Sequence, residues 1–546
     1  MRIIGISPMH DSSVAIIHNG QVEYFSKEER LTRKKRDMRP YLSFDNAIKY
    51  SKGKVDYVVI SSPTGDDNFN NQLEHYIKKK IDVKVIRLCD HHHLSHASLA
   101  FYNSGFDKSL TVVIDRNGSK FDRLRESESI FISEYPHQFQ PIYKSYWLEK
   151  IGIFEDNLNY EKIKEITKDW PDCDIVADST MNITKVYESA TTLIGQDALE
   201  NGKTMGLAAY GKDQSFKSLF VNDVPNTNLF VSRIDYNQQV ILKDHLQKQI
   251  KEVPKTNYEF YANYAFQVQK QTQQQVLKLV KRYVEKTGIK KVCLTGGYGL
   301  NVVTNEYLVK NLPDVQFYFE PIADDTGNSI GAAMYVYRNE TKDKKKYPLK
   351  HTFFNHIKEN FDTLEGVNVT TKEIANYLSQ SKIVAVYNGQ AEAGPRALGN
   401  RSILFDPRNP NAKDIVNKVK NREWYRPFAG SVLKEDMKNY FETHHIKFSP
   451  FMTISFQVKE NKKNIIPGVI HKDNSCRIQS VDTDIPHFYN LLKEFKSITN
   501  ESVLLNTSFN MAGEALVESF NDAINTFNKT EIDILWFPEL GKMIKK

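Results

Sequence analysis

The chain has 546 residues, of which 40% are hydrophobic and 26% are charged. One core rarely serves more than about 250–300 residues, so at least two domains are expected. No apolar run is long enough to cross a bilayer, the N-terminal residues are typical of a strand and not of a signal peptide, and the four cysteines show no paired spacing. We therefore expect a cytoplasmic protein without disulfides.

The first residues predict a strand, Ile3–Ser7, followed by a β-hairpin. Val14–His18 and Gln21–Phe25 are apolar alternating segments that flank Asn19-Gly20, and both turn residues tolerate the positive φ of a type I′ turn. Three further strands are predicted, at Val55–Ser61, Val83–Leu88 and Leu110–Asp115. Polar clusters follow several of these strands, and ligands collect at strand ends of this kind in open α/β sheets.

Two separated segments predict a metal site. His92 and His96 are four residues apart, so on a helix they share one face and can chelate a divalent ion. Asp325 precedes a run of small residues, Gly327–Ala333, that is typical of a tightly packed helix start. Two imidazoles and one carboxylate leave coordination positions open, which indicates a catalytic site. The alternative is a solvated polar turn, to which we assign His91 and His93.

The middle of the chain predicts a helix and then a glycine-rich loop. Tyr264–Lys286 carries apolar residues at helical spacing and stops at Gly288. The strand Lys291–Leu294 then enters the loop Thr295–Asn301, and another helix and the strand Val315–Phe319 follow. This order suits a nucleotide or acyl phosphate held by backbone N–H groups, although the loop alone also fits an ordinary tight turn.

A polar, lysine-rich stretch, Arg338–Leu349, predicts a linker. It divides the chain into domains of residues 1–345 and 346–546. We detect no internal repeat. The second domain shows a mixed α/β pattern, with strands predicted at Ile383–Tyr387, Met452–Val458, Val503–Leu505 and Ile532–Phe537 and helices at Asn411–Asn421 and His487–Phe495.

The second domain also predicts an anion site. It concentrates cationic side chains among small, apolar and aromatic residues: Arg396, Arg401, Lys420, Arg422, Arg426 and Arg477. Guanidinium groups bind phosphate or carboxylate oxygens bidentately. Ser508 and Asn510 are two apart, so on an extended segment both can donate to the same oxygen-rich ligand. A surface basic patch is the alternative.

At this point the sequence resembles the nodulation-factor and antibiotic O-carbamoyltransferase family over nearly its whole length. The matching motifs are His10–Ser13 (HDSS), His92–Ala97, Gly202–Gly211 (GKTMGLAAYG), Gly296-Gly297 with Leu300-Asn301, Asp325-x-Gly327, Gly394–Ser402 (GPRALGNRS), Lys420–Ala429 (KNREWYRPFA) and Asn506–Asn510 (NTSFN).

The resemblance implies an α/β fold in two parts. The first would be an actin-like (ASKHA) domain similar to the tRNA threonylcarbamoyltransferases, and the second a mixed α/β domain similar to threonylcarbamoyl-AMP synthases. In that family, carbamoyl phosphate and ATP give carbamoyl-adenylate and pyrophosphate in the second domain. The carbamoyl group then passes to an acceptor hydroxyl in the first domain. The cofactors implied are a divalent metal, most often Fe²⁺, and Mg²⁺ bound with ATP.

Motifs and resemblance together give the expected site residues. The metal ligands are His92, His96 and Asp325. The catalytic residues are His10, Lys420, Arg422, Ser508 and Asn510. For His10 the alternative is a turn residue satisfied by Asp11. The expected substrate or nucleotide contacts are Asp11, Ser12, Asp115, Arg116, Lys203, Gly206, Gly296, Gly297, Asn301, Arg396, Arg401, Arg426, Arg477, Asn506 and Thr507.

The acceptor is the open question. The net charge of +7, the basic run Arg30–Arg36, and Arg116 where the family usually has glycine favour an anionic acceptor, such as a hydroxymethylated nucleotide or DNA base. A sugar or antibiotic-like hydroxyl is the alternative. A small-molecule kinase, a nucleic-acid-binding protein and a metallohydrolase are weaker alternatives. We expect no membrane partner, and a homodimer is compatible with the sequence.

Overall fold

The computed structural model divides into two compact units. The first comprises residues 1–23 and 38–349, and the second comprises residues 24–37 and 350–546. The boundary near residue 350 lies close to the predicted one, whereas no sequence pattern indicated that residues 24–37 belong to the second unit. The structure describes residues 1–64, 68–89, 91–121, 124–148, 164, 165, 167–179, 181–232, 239–355, 359, 361 and 364–546.

The first unit begins with a five-stranded sheet. Its strands are β1 Arg2–Ser7, β2 Ser13–His18, β3 Gln21–Lys27, β4 Tyr57–Ile60 and β5 Lys84–Arg87, in the order β3-β2-β1-β4-β5. β1 is antiparallel to β2 and parallel to β4, which is parallel to β5. The predicted turn is confirmed, since Asn19 and Gly20 have φ of 50° and 81°.

A second sheet in this unit repeats the same arrangement. The next strands along the chain are β6 Lys108–Ile114, β7 Lys120–Phe121, β8 Leu124–Glu134, β9 Gln138–Leu148, β10 Asp174–Ser179, β11 Phe220–Val221, β12 Val224–Pro225, β13 Phe230–Ser232, β14 Val240–Leu242, β15 Lys291–Thr295 and β16 Gln316–Phe319. The second sheet has the order β10-β9-β8-β6-β15-β16, antiparallel from β9 to β6 and parallel from β6 to β16, with β7 paired to β8. β11 and β12, and likewise β13 and β14, form separate two-stranded sheets. The path from β9 to β16 therefore matches that from β3 to β5, and the predicted actin-like α/β class is confirmed.

Helices connect these strands. In chain order they are α1 Glu28–Thr32, which lies in the second unit, α2 Tyr41–Ser51, α3 Asn68–Lys80, α4 His92–Ser104, α5 Ile183–Leu193, α6 Asn201–Ala208, α7 Glu259–Thr287, α8 Val302–Asn311 and α9 Asn328–Thr341. The helix predicted before Gly288 is confirmed as α7, and Gly288 ends it with φ of 71°. The predicted start of the linker is wrong, because Arg338 is buried within α9 and its guanidinium donates to the Asp343 carbonyl.

Small residues bring α4 and α9 into close contact. A Cβ atom on Gly331 would lie 2.0 Å from the Ser95 carbonyl oxygen, so only glycine fits there. The Ser98 hydroxyl donates to the Gly331 carbonyl at 2.6 Å. The packed helix start predicted from the small-residue run is therefore confirmed.

The second unit is built on one ten-stranded sheet, in the order β17-β26-β25-β18-β19-β24-β20-β23-β22-β21. The strands are β17 Val367–Asn368, β18 Val384–Tyr387, β19 Arg401–Phe405, β20 Ala429–Leu433, β21 Phe441–Glu442, β22 Ser455–Val458, β23 Ser475–Val481, β24 Val503–Ser508, β25 Ile534–Phe537 and β26 Lys542–Lys545. The helices are α10 Thr371–Ser379, α11 Ala412–Lys420, α12 Met437–Tyr440, α13 Pro486–Thr499 and α14 Phe520–Lys529.

The core of this unit lies between helices and sheet. Phe488 and Phe495 of α13 belong to one buried cluster with Val386 and Leu504 of the strands. The predicted mixed α/β pattern is confirmed. Across both units, no helix in the described ranges is long and apolar enough to span a bilayer.

Candidate active site

Four buried side chains of the first unit converge on one point. The Oδ1 atom of Asp325 lies 3.2 Å from His92 Nε2 and 3.3 Å from His96 Nε2. Asp115 adds a second carboxylate, with Oδ2 at 3.7 Å from His92 Nε2. The ligand atoms of all four lie within 4.8 Å of one another. The three predicted ligands therefore come together, and Asp115, which we expected to contact substrate, joins them.

The fold explains this convergence. α4 begins at His92, shortly after β5 ends, while Asp115 directly follows β6 and Asp325 follows β16. These strands run parallel to neighbours within their sheets, and the carboxyl ends of such strands are where α/β folds place their ligands. The signal for Asp115 was present in the sequence, as an acidic residue at the end of an apolar strand.

The donor set fits a divalent metal ion. His92 Nε2, which lies between the two carboxylates, is buried and has no hydrogen-bond partner among the described residues, although buried polar atoms are normally paired. Imidazole nitrogens combined with carboxylate oxygens suit first-row divalent ions.

His10 lies at the open side of the cluster. Its Nε2 is 3.5 Å from Asp325 Oδ2, its Nδ1 is 3.2 Å from Asp11 Oδ2, and its side chain is 39% exposed. Burial alone lowers the pKa of His10, but Asp325 and Asp11 outweigh it and raise the pKa to about 9. Burial is likewise outweighed at His92, whose pKa rises to about 10 because of Asp325 and Asp115. The carboxylates of Asp115 and Asp325 are thus stabilised by nearby positive charge, which protons on the histidines or a bound cation can supply.

The glycine-rich loop supports Asp115. The Gly297 N–H donates to Asp115 Oδ1 at 3.0 Å. Gly296 has φ of 82°, and a Cβ there would lie 2.4 Å from the Ile114 carbonyl oxygen. Asn301 caps α8 by accepting from the Thr304 N–H, and it exchanges hydrogen bonds with Gln269. These contacts give the loop a structural task, and its predicted nucleotide contacts stay a prediction.

Other expected contact residues of this unit have internal partners. Arg116 forms a bidentate ion pair with Glu188, at 2.8 Å and 3.2 Å. Lys203 contacts Glu200 at 3.0 Å and donates to Gln196. The Ser12 hydroxyl donates to the Ser7 carbonyl. Asp11 adopts φ of 62° beside His10, and Gly206 is buried in α6.

The second unit gathers four of the predicted arginines. Arg396, Arg422, Arg426 and Arg477 are partly exposed. Burial, together with the charges of Arg426 and Arg396, holds the pKa of Arg422 well below its ordinary value. Burial, Arg396 and Arg422 do the same to the pKa of Arg477. Guanidinium groups stay charged in proteins, so this cluster is a concentration of positive charge that an anion would stabilise.

Lys420, Ser508 and Asn510 meet at the edge of this cluster. The Lys420 ammonium donates to the Ser508 carbonyl, to the Asn510 carbonyl at 2.7 Å and to Asn510 Oδ1 at 3.1 Å. Ser508 Oγ donates to Asn510 Oδ1 at 2.6 Å. Burial, Arg422 and Arg426 hold the pKa of Lys420 well below its ordinary value. The Lys-x-Arg and Ser-x-Asn pairs, which are distant in sequence, therefore form one group.

Three further predicted residues differ in their surroundings. Arg401 donates to the carbonyl oxygens of residues 388, 389 and 518 and stacks on the Tyr387 ring at 3.7 Å, so it fixes backbone. Asn506 donates to Ser431 and Gln479 in a buried network. Thr507 accepts from Arg422 at 3.4 Å and so touches the cluster.

Sequence reasoning missed the residues that shape the Gly394–Ser402 loop. Glu392 Oε1 accepts from the N–H groups of residues 398, 400 and 401. Gln479 donates to the Leu398 carbonyl at 2.8 Å. Glu392 lies between β18 and β19 and Gln479 lies in β23, so no local pattern in the sequence indicated either contact.

Comparison with protein families identifies the chain. The carbamoyltransferase N-terminus family matches residues 67–334, and the carboxyl-terminal part of the same family matches residues 375–544. The chain belongs to the carbamoyltransferase family. The predicted recognition and the predicted transfer of a carbamoyl group are thereby confirmed.

Two relatives extend over most of this carbamoyltransferase. An uncharacterised protein of Synechocystis is 28% identical to this chain, and the alignment covers 98% of this chain and 95% of the relative. The nodulation protein NolNO of Sinorhizobium fredii is 27% identical and covers 96% of this chain and 78% of its own. Among solved structures, HypF of T. kodakarensis is similar with 12% identity and a TM-score of 0.39, covering 62% of this chain and 48% of its own.

Proposed function

We propose that this carbamoyltransferase makes carbamoyl-adenylate in its second unit and transfers the carbamoyl group to a hydroxyl in its first. The observation that carries the first step is the cluster of Arg396, Arg422, Arg426 and Arg477, in which burial and the neighbouring positive charges lower the pKa of Arg422 and of Arg477. ATP and carbamoyl phosphate are the polyanions that such a cluster would stabilise. Mg²⁺ bound with ATP would share the phosphate charge.

The conservation of atoms defines how carbamoyl-adenylate forms in the first step. Carbamoyl-adenylate contains the carbamoyl group and AMP, so the phosphate of carbamoyl phosphate must leave and one water is consumed. Water first breaks the bond between phosphorus and the carbamoyl oxygen, which gives phosphate and carbamate. A carbamate oxygen then attacks the α-phosphorus of ATP, and pyrophosphate leaves as the α–β bridging bond breaks. Lys420, which is held by Ser508 and Asn510, and Arg422 would bind the reacting phosphates.

The second step is acyl transfer. The acceptor oxygen attacks the carbonyl carbon of the adenylate, the bond to AMP breaks, and AMP leaves. When the divalent ion supplies the positive charge that Asp325 demands, His10 is left neutral at the exposed side of the cluster, where it can receive the acceptor proton. His92, His96, Asp115 and Asp325 would hold the divalent ion, for which we propose Fe²⁺. When bound, that ion would supply Lewis-acid polarisation of a carbonyl or phosphate oxygen.

For the acceptor we propose an uncharged small-molecule hydroxyl. The nucleotide or DNA acceptor rested on Arg116 and the basic run. Arg116 is paired with Glu188. Arg30 is buried beside Glu518, and Arg33 donates to the carbonyl oxygens of residues 515 and 516. These internal contacts remove support from the anionic acceptor, which stays a prediction. A cytoplasmic location and a homodimer also remain predictions.

The test separates the two steps. Enzyme with carbamoyl phosphate and ATP should release pyrophosphate without any acceptor. Addition of a panel of sugars, aminoglycosides and hydroxymethylated DNA should yield AMP and a carbamoylated product identified by mass spectrometry. Transfer directly from carbamoyl phosphate, with ATP not consumed, would refute the adenylate proposal and leave carbamoyl transfer intact.

A further inference from the structure

A series of buried contacts connects His92 on α4 to Lys144 on β9. The Ser119 hydroxyl accepts the backbone N–H of His92 at 3.0 Å. The Ser119 N–H in turn donates to Glu126 Oε2 at 3.0 Å. The other carboxylate oxygen of Glu126 is ion-paired with Lys144 on β9. The hydroxyl, the carboxylate and the ammonium all lie in the interior.

Ser119 takes the place of a missing helix cap. The residue before α4, His91, makes no side-chain capping bond to the helix, and the first N–H groups of a helix have no partners within it. Ser119 supplies one of these partners from the turn that follows β6. Because the same turn begins with Asp115, Ser119 ties together the two segments that carry His92 and Asp115.

The turn is packed with little free space. A Cβ atom on Gly118 would lie 2.5 Å from His93 Nε2 and 2.6 Å from Glu126 Cβ. The Gly118 N–H donates to the Glu126 carbonyl at 2.8 Å, and the Glu126 N–H donates to the Ser119 carbonyl at 3.1 Å. A shift of the turn would therefore displace the first turn of α4.

The ion pair behind the turn is costly to bury. The side chains of Lys144 and Glu126 are 4% and 2% exposed, and desolvation of such a pair often exceeds its attraction. Burial alone raises the pKa of Glu126, but Lys144, His93 and the Ser119 N–H lower it to about 2. The carboxylate thus stays charged, which makes it a strong acceptor for Ser119.

We propose that Ser119 and Glu126 are positioning residues that set the orientation of His92 and Asp115 as metal ligands, and that Lys144 compensates the buried charge of Glu126. This inference rests on the metal site in the proposed function. Groups that orient ligands from behind typically change metal affinity by about 10–100-fold when they are removed. None of the three needs to touch the ion or the substrate.

The first test measures metal affinity directly. The full chain is stripped with a chelator and titrated anaerobically with Fe²⁺, and thermal unfolding is followed in parallel. Ser119→Ala should weaken Fe²⁺ binding about 10–100-fold, while Ser119→Thr, which keeps the hydroxyl, should restore it. Ser133→Ala is the matched control, since Ser133 is a buried serine of β8 that bonds Thr111 at 2.7 Å. It should retain the wild-type affinity.

A pair of neutral variants isolates the acceptor on residue 126. Glu126→Gln/Lys144→Met keeps a carbonyl oxygen for the Ser119 N–H, whereas Glu126→Ala/Lys144→Met removes it. We expect near-wild-type Fe²⁺ affinity in the first variant and about a tenfold loss or more in the second. Unchanged affinity in Ser119→Ala, or an equal loss in Ser133→Ala, would overturn the inference.

Pyrophosphate release in the same preparations separates this result from the proposed function. That reaction belongs to the second unit, so every variant should retain it. A wild-type protein that releases pyrophosphate but binds no Fe²⁺ would overturn the ligand set and this inference together, and would leave adenylate formation standing.

Discussion

His92 Nε2 lies 3.2 Å from Asp325 Oδ1, although the two residues are far apart in the sequence. Gly331 makes this contact achievable, because its missing side chain lets α9 approach the Ser95 carbonyl of α4. With His96 and Asp115 the pair gives two imidazoles and two carboxylates, of which only Asp115 was absent from the predicted ligand set. The first prediction follows from this arrangement.

His96→Ala should lose metal and carbamoyl transfer together. Removing one of the four donor atoms lowers the affinity for the ion, so elemental analysis should find little metal in the variant. Pyrophosphate release should persist. His245→Ala is the control, because His245 is also a buried histidine of this unit but packs among Phe260 and Tyr264. Full metal occupancy in His96→Ala would refute the ligand set.

Arg422→Ala should lower pyrophosphate release by about 10²–10³-fold, since a fixed donor that stabilises transferring phosphate is removed. The comparison is Arg408→Ala, an arginine of the same unit that pairs with Asp406 at 2.6 Å and lies outside the cluster. Metal content should be unchanged in both variants. Equal rates for Arg422→Ala and wild type would contradict the assignment of adenylation to this cluster.

His10→Gln should lower carbamoyl transfer by about 10²–10⁴-fold, the range typical of a lost general base. Metal content and pyrophosphate release should remain. His18→Gln is the matched control, because the His18 side chain is exposed to a similar extent and pairs with a carboxylate, Glu23, at 3.4 Å. If His10→Gln transfers carbamoyl at the wild-type rate, the turn alternative for His10 is correct and the acceptor proton goes elsewhere.

The sequence was sufficient where the chemistry is local. Spacing of four placed His92 and His96 on one helix face, and Asn19-Gly20 specified the first hairpin. The sequence was insufficient for the order in which strands pair within a sheet. The strand order of the first sheet is repeated in the second without a detectable sequence repeat, since a repeated topology needs only similar apolar patterns.

The internal pairing of cations was the main gap. A run of basic residues in sequence looks like a solvated face, but burial decides whether each charge is free. Arg116 is held by Glu188, and Arg33 donates to the carbonyl oxygens of residues 515 and 516. Both contacts join residues far apart in the chain, so neither could be read from spacing.

Glu320 gives the protein a pH-dependent stability. Burial raises the pKa of Glu320 from 4.5 to about 7, although the Ile322 N–H and Asn103 favour its charged form. The folded protein therefore binds more protons than the unfolded chain between these values. Its free energy of unfolding falls as the pH rises through this window, by about 3 kcal/mol in total.

Glu320→Gln should remove the loss of stability that accompanies ionisation of Glu320. Relative to wild type, its free energy of unfolding should increase by about 3 kcal/mol between about pH 5 and pH 8. Chemical denaturation at several pH values measures the difference. Glu134→Gln, at an exposed carboxylate that pairs with Lys108, should leave the pH dependence unchanged. A pH-independent difference for Glu320→Gln would contradict the assignment.

The salt dependence of the carbamoylation rate distinguishes a neutral acceptor from a nucleic-acid acceptor. A neutral sugar carries no condensed counterions, so its carbamoylation should change little between about 50 and 200 mM salt, whereas binding through several phosphates would fall by about 10³–10⁵-fold. We expect the first behaviour, because Arg116 and Arg33 are engaged internally. Rates for a sugar panel and for hydroxymethylated DNA, measured with product mass spectrometry, decide between them. Efficient, strongly salt-dependent carbamoylation of DNA would restore the nucleotide acceptor and show that other cations on the surface bind it.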